Sequence, residues 1–216
     1  MTDSADEMPT PPIGRRERKR RETRQTLVAA ALSLFDTRGY DDVTVVDIAE
    51  SADLDASTFF RHFGSKEAVL FTDMADFADG IGSALDVRPA DEPLLEAIPC
   101  AMVELGSRRL LDVELEFLRG KLTESSSALR SLSSVYRERM VDALANAIAR
   151  RLGTDPTTDP APYLAATVWA ASLDFYRRRI VATATSAELA GTASAELLGD
   201  VLDIVRPIWP HLGLAE

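Results

Sequence analysis

From Arg15 to Arg38 the chain holds neither proline nor glycine, and Leu27, Ala31, Leu34 and Phe35 recur at helical spacing. The pattern predicts one long amphipathic helix that stops at Gly39. Two short helices are predicted next. Thr44 caps one over residues 45–51, with Asp47 placed as the reciprocal acid of a capping box. Asp55 caps the other, over residues 56–62, which reads Ala56-Ser-Thr-Phe-Phe-Arg-His62. Ser65 starts a fourth helix that fades near Gly80 or Gly82, and Pro89 and Pro93 punctuate the loop after it. Further helices are predicted at 94–106, 108–120, 126–152, 161–183 and 193–209, with a turn cluster of glycine, aspartate, threonine and proline over residues 153–160. No alternating stretch reads as a strand, and there is no internal repeat. The expectation is all-α: about nine helices, a small N-terminal three-helix group and a larger antiparallel C-terminal bundle. Residues 1–14 read as a disordered leader, 15–70 as the first domain and 71–216 as the second.

The two short helices are joined by Ala52-Asp-Leu54 and flanked by longer ones, which is the geometry of a helix-turn-helix. Val45, Ile48, Ala49, Leu54, Phe59 and Phe63 form its small core. Phe59 and Phe63 are four apart and share a face. Turning that face inward leaves Ser57, Phe60 and Arg61 outward, with Thr58 and His62 at the margins. The N-terminal part of such a second helix is what enters a DNA major groove.

Composition narrows the alternatives. At 216 residues and 46% hydrophobic, the chain can bury a core without disulfides or metals. Cys100 is the single cysteine, and His62 and His211 are the only histidines, far apart. Neither a disulfide nor a histidine-based metal centre or triad is expected, and no cofactor. There is no phosphate-cradling glycine loop, nucleophile elbow or metal-binding His/Glu motif, so a helical-bundle enzyme is a remote alternative. The first residues are polar and acidic, unlike a secretory signal, and no apolar run approaches the ~20 residues of a membrane span. A soluble, cytoplasmic protein with no membrane partner is expected.

The net charge of −11 conceals a division. Residues 15–24 hold seven basic and two acidic groups, whereas residues 25–70 net −5 and residues 71–216 net −8. One basic block on an acidic body points to a localised polyanion contact. On charge alone, a solvated helix terminus or a disordered arm is an equal reading.

The stretch from Leu34-Phe-Asp-Thr-Arg-Gly-Tyr40 through Thr44-Val-Val-Asp-Ile-Ala-Glu-Ser51 and Thr58-Phe-Phe-Arg-His-Phe-Gly-Ser-Lys-Glu-Ala-Val-Leu70 resembles the TetR family of bacterial transcriptional repressors. The Thr-Phe-Phe-Arg-His-Phe form looks most like a branch that includes the mycofactocin-type regulators. There are departures: Asp53 stands where the family usually has a turn glycine, Phe60 where it has tyrosine, and Val46 at a position that is often polar. The resemblance implies a ligand-responsive, DNA-binding repressor that binds a palindromic, double-stranded operator as a homodimer. A regulator controlled by a protein partner, or one that is not gated, is the alternative.

Thr44 is a helix cap whose hydroxyl and free N–H groups also suit phosphate, with Val45 and Ala56 beside the DNA at the starts of the two short helices. Ser57, Thr58, Phe60, Arg61 and His62 are the other expected contacts of the second helix. Phe60 suits stacking on sugar–phosphate or on a base methyl, and Arg61 is the base reader. Lys66 is a phosphate clamp in the family pattern. Arg15, Arg16, Arg18, Lys19, Arg20 and Arg21 supply non-specific affinity or reach the minor groove.

In the C-terminal part, Leu164, Val168, Ala171 and Phe175 form one apolar stripe, with Trp169, Leu173 and Tyr176 on others. Leu197, Val201, Ile204 and Ile208 form a stripe on the last helix, and Leu198, Leu202, Val205 and Trp209 an adjacent one. Such doubled faces exceed what one neighbour needs. The family's four-helix dimer interface then implicates Leu164, Val168, Phe175, Leu197, Val201, Ile204 and Ile208. The alternative is packing within one chain. The family also implies an effector pocket, for which Phe77, Met102, Phe117, Tyr136, Met140, Trp169 and Tyr176 are candidate linings. Ordinary core is the competing reading of each. Their methionines and aromatic rings suit a small apolar or amphipathic effector, and Arg108, Arg109, Arg119 and Arg137 are candidate partners for an acyl-CoA-like head group.

Overall fold

The computed structural model describes residues 14–106, 113–183 and 194–214. Among them are nine α-helices and no strand. These are α1 (Arg15–Arg38), α2 (Val45–Ser51), α3 (Ala56–His62), α4 (Ala68–Asp86), α5 (Leu94–Gly106), α6 (Val113–Ser125), α7 (Ser127–Leu152), α8 (Ala161–Thr183) and α9 (Ser194–Val205), followed by a 3₁₀ turn at Trp209–His211. The chain forms two compact units and passes from the first to the second between Gly64 and Ser65, earlier than the boundary drawn from sequence. The leader expected over residues 1–14 lies, Gly14 apart, outside the described residues.

In the first unit α1 buries Leu27, Ala31 and Phe35, α2 buries Ile48 and Ala49, and α3 buries Phe59, with Phe63 buried just beyond it. Tyr40 and Val43, in the loop after α1, are also buried, and the Tyr40 ring lies 5.2 Å from that of Phe35. Gly39 makes that loop possible: its φ of +82° is one that side chains resist. Thr44 then opens α2 through a reciprocal cap. Its Oγ1 accepts the Asp47 N–H at 3.1 Å, and its own N–H donates to Asp47 Oδ2 at 2.7 Å. Arg38 adds an ion pair to Asp47 at 3.3 Å. The Thr44 bonds and Arg38 hold the Asp47 carboxyl below its ordinary proton affinity.

The turn between α2 and α3 closes by two backbone bonds, Asp53 N–H to the Glu50 carbonyl at 3.0 Å and Leu54 N–H to the Ala49 carbonyl at 2.9 Å. This is the Schellman arrangement, and it requires a left-handed residue at position 53. Asp53 takes that conformation, with φ +56°. Aspartate enters this region more readily than most residues, yet less readily than glycine. Asp55 occupies the N-cap position of α3, as expected, but its side chain makes no capping bond. The first turn of α3 is closed by backbone bonds instead, Thr58 N–H and Phe59 N–H both reaching the Asp55 carbonyl.

In the second unit Ser65 Oγ accepts the Ala68 N–H at 3.3 Å, but α4 begins at Ala68 with Glu67 in its N-cap position, so Ser65 lies in the turn before the helix and is not its cap. That helix does not fade at Gly80 or Gly82 but continues to Asp86. A Cβ at Gly80 would stand 2.9 Å from Leu105 Cδ2, so this glycine makes room for a side chain of α5. α4 packs chiefly on α7, α7 on α8, and α9 on α8 and α5. Their shared core includes Ile81, Leu85, Ile98, Leu144, Ile148, Trp169, Val201 and Val205. α9 ends at Val205, short of the residue 209 expected from its pattern. Pro207 lacks the N–H that a further turn needs, and its ring opposes one. Trp209 still reaches the core from the 3₁₀ turn.

Replacing Asp53 by glycine removes the left-handed strain and is expected to stabilise the first unit by about 0.5–1 kcal/mol; Asp53→Val should cost roughly 1–2 kcal/mol. Chemical denaturation followed by helical circular dichroism measures both. Equal stability of all three proteins would show that the turn carries no strain.

Candidate nucleic-acid interface

α3 has only seven residues, too few to be stable alone. Its position comes from Phe59, which has no exposed surface, and from Phe63 just beyond it, whose ring lies 5.2 Å from that of Phe59. With this face inward, Ser57, Phe60 and Arg61 stand exposed, and Thr58 and His62 are half-buried at the margins. Phe60 is 56% exposed, although it is a large apolar side chain. Its ring meets that of Phe59 edge to face at 5.8 Å. Arg61 Nη2 donates to Thr58 Oγ1 at 3.2 Å, which holds the guanidinium over its own helix. Thr44 is exposed at the start of α2, while Val45 and Ala56 are half-buried. Val46 is 53% exposed.

The basic block forms the first turns of α1 and is not an irregular arm. Arg15, Arg16, Arg18, Lys19, Arg20 and Arg21 are all exposed. The end of the block lies near the end of α3. The guanidinium of Arg24 lies over the Phe63 ring, 5.7 Å from its centre. Burial, and then the charges of Arg61, Arg20 and Arg24, push the His62 imidazole below its ordinary proton affinity. Arg24 entered the sequence reading only as the last residue of the block. Its spacing of four from Arg20 is the signal that it shares that residue's face. The first unit therefore gathers cations from α1 and α3 beside an outward helix face carrying a hydroxyl, a phenyl ring and an arginine. Lys66 belongs to the second unit, in the turn that leads into α4.

The chain matches the profile of the bacterial regulatory proteins of the tetR family over residues 27–72, and that of the MftR C-terminal domain over residues 92–206. The chain belongs to the TetR family. TcmR, an HTH-type transcriptional regulator of Streptomyces glaucescens, is 40% identical over 157 residues, 69% of each chain. The mycofactocin-named regulator MftR of Mycobacterium tuberculosis is 26% identical over 187 residues, 86% of this chain and 94% of its own. Among solved structures, the TetR-family repressor FadR of Thermus thermophilus, in complex with lauroyl-CoA, superposes with a TM-score of 0.52 at 19% identity, over 89% of this chain and 96% of its own. These relatives are regulators of transcription, not enzymes, and this TetR-family chain is a DNA-binding transcriptional regulator.

The bundle residues singled out from the sequence sort differently. Phe77, Met102 and Trp169 are buried in one core cluster, with Met140 packed against it. Tyr136 stacks on Phe71 at 5.4 Å, and Phe117 carries the Lys121 ammonium 5.0 Å from its ring centre. The side chain of Tyr176 lies outside the described residues. A groove of about 540 Å³ opens between α7 and α8, lined by Arg137, Val141, Tyr163, Thr167, Asp174 and Phe175 among others; of the described effector candidates Arg137 lines it, and none of the apolar and aromatic ones does. Arg119, read as a head-group partner, is instead buried, its Nε donating to the Leu70 carbonyl at 2.7 Å. Arg137 pairs with Asp174 at 2.7 Å. Arg108 and Arg109 lie outside the described residues.

Of the dimer candidates, Leu164 and Phe175 are 47% and 58% exposed and Ile208 is 40% exposed. Val168 and Ile204 are half-buried. Val201 has no exposed surface and belongs to its own chain's core, so its burial needs no second subunit. The side chain of Leu197 lies outside the described residues. No described helix is long and apolar enough to cross a membrane.

Because folding lowers the proton affinity of His62, the unfolded chain takes up that proton first as the pH falls. The stability is intact above the ordinary histidine value of 6.5 and declines as the pH drops below it. His62→Gln should flatten this decline. Urea midpoints at pH 7.5 and about 5, compared between the two proteins, measure it. Identical declines would mean that neither burial nor the charges of Arg61, Arg20 and Arg24 shift this ring.

Proposed function

We propose that the protein is a homodimeric repressor that binds a palindromic operator through α3 and is released by a small apolar molecule held in the second unit. The observation that carries the DNA half is the outward Ser57–Phe60–Arg61 face, with the cations of α1 close enough to act on His62. A groove-entering helix next to a phosphate-seeking surface is what operator recognition requires. Arg61 reads guanine. Thr44, Val45, Ala56, Ser57, Thr58 and His62 approach the backbone, and Lys66 clamps a phosphate. The basic residues of α1 supply affinity without sequence preference. A chromosomal target places the protein in the cytoplasm.

The effector half is supported by the interior of the second unit. Trp169 is wholly buried and its indole N–H has no hydrogen-bond partner among the described residues. Such an orphan donor costs about 1–3 kcal/mol, which a ligand carrying an acceptor oxygen would recover. Phe77, Met102 and Met140 share that cluster and suit an apolar ligand. An acyl-CoA-like molecule, of the kind FadR holds, is one such ligand. With Arg119 buried on a carbonyl and Arg137 paired, the apolar portion of that expectation is the better supported.

The dimer is supported by Leu164 and Phe175 on α8, two large apolar side chains left exposed on one stripe.

Selection of duplexes from a random pool by the purified protein tests the operator, and release of the selected duplex by added small molecules tests gating. The selected sequence should be a palindrome with half-sites about one helical turn apart. Arg61→Ala should relax preference at one guanine per half-site, at roughly 1–3 kcal/mol per contact. Equal weakening on operator and random DNA would reduce Arg61 to a phosphate contact.

Leu164 and Phe175 test the dimer better than Val201, since a charge at Val201 would disrupt the subunit itself. Replacing both with glutamate should halve the mass in sedimentation, preserve helical circular dichroism, and weaken operator binding by about 100-fold or more through loss of the second half-site. A variant that stays dimeric with normal operator affinity would overturn the α8 interface.

A further inference from the structure

We infer that Phe60 reads a thymine methyl group in each half-site of the operator. The inference rests on the operator-binding reading above and specifies its chemistry. Phe60 stands 56% exposed on the outward face of α3, between two polar exposed positions, Ser57 and Arg61. The ring is not loosely placed: its neighbour Phe59 is fully buried, and the two rings meet edge to face at 5.8 Å. A phenyl ring has no hydrogen-bonding group, so it gains nothing from a phosphate oxygen and would desolvate one if pressed against it. The polar edges of the major groove are equally poor partners. The one apolar group that the bases present there is the C5-methyl of thymine. Arg61, the adjacent residue, already supplies the hydrogen-bonding reader, so the helix presents one apolar and one polar reading group side by side. Val46, the other large exposed apolar side chain among the described residues of this unit, lies on α2, the helix that crosses the backbone in this motif, and so it is not the reader.

The test uses the full chain and the duplex it selects from a random pool. Each symmetry-related pair of thymines is replaced in turn by deoxyuridine, which removes the methyl and keeps the base pair. One pair of positions should weaken binding roughly fourfold per methyl, about 16-fold for the pair, the value expected for burying one methyl group. With Phe60→Ala that position should become indifferent to uridine, while sensitivity at any other thymine persists. A second measurement needs no variant. Placing 5-iodouracil at the sensitive position and irradiating the complex should crosslink the peptide carrying Phe60. The inference fails if no uridine pair weakens the native protein, if the same sensitivity survives in Phe60→Ala, or if the crosslink falls on another residue. Those failures leave sequence-specific binding intact. A chain that selects no common sequence would instead overturn the operator reading, and this inference with it.

Discussion

The burial of Phe59 decides what α3 can present. A seven-residue helix has no stability of its own, so one anchored ring, backed by Phe63, sets both its existence and its rotation. Everything outward follows from that rotation. Ser57, Phe60 and Arg61 are exposed because a helix turns 100° per residue and Phe59 faces in. Truncating Phe59 would therefore remove the reading surface without touching any residue of it, at a core cost of roughly 3–5 kcal/mol. Thr44 and the Schellman turn play the same part for α2, fixing its two ends so that α3 starts where the core needs it.

Charge is distributed to match. A chain with net charge −11 is repelled by nucleic acid in most orientations. The basic turns of α1 reverse the sign locally, and they do so beside α3, where His62 registers the field of Arg20 and Arg24. Residues 71–216 net −8, and charge of that sign keeps that part of the chain off a polyanion. The depressed proton affinity of His62 follows first from its burial and then from the charges of Arg61, Arg20 and Arg24.

The helix-turn-helix was legible because local rules and the core pattern agree there. The capping pair Thr44 and Asp47, the spacing of Phe59 and Phe63, and the position of Asp53 each point to the same geometry, and the helix boundaries follow. The burial of Tyr40 and Val43 was not legible, since an apolar residue in a loop gives no periodic signal. The bundle was harder for a different reason. Gly80 reads as a helix stop, yet it is the point where Leu105 packs, a tertiary contact that no local pattern encodes. Arg119 reads as surface because arginine almost always is; its burial depends on the Leu70 carbonyl and the Phe71 ring, both from a helix far away in sequence. Periodicity marks an apolar stripe but not what covers it, which is why Val201 and Leu164 looked equivalent and are not.

That difference bears on how much one subunit can recognise. Seven residues of α3 rise only about 10 Å, the length of some three base-pair steps. A wrong base costs about 1–3 kcal/mol, so a single such helix separates its site from a genome of competitors by too little. Additional specificity has to come from a longer reading element or from a second copy at fixed spacing. The first unit has no room for the former: α3 ends at His62, and the buried Phe63 and then Gly64 follow. The second unit leaves Leu164 and Phe175 uncovered on α8, although its own core already accounts for Val201, Val205 and Trp169. An apolar surface left over after the core is complete is where a second copy can attach. On the proposed dimer, the short α3 and the exposed Leu164 and Phe175 of α8 answer one requirement, that the reading be done twice.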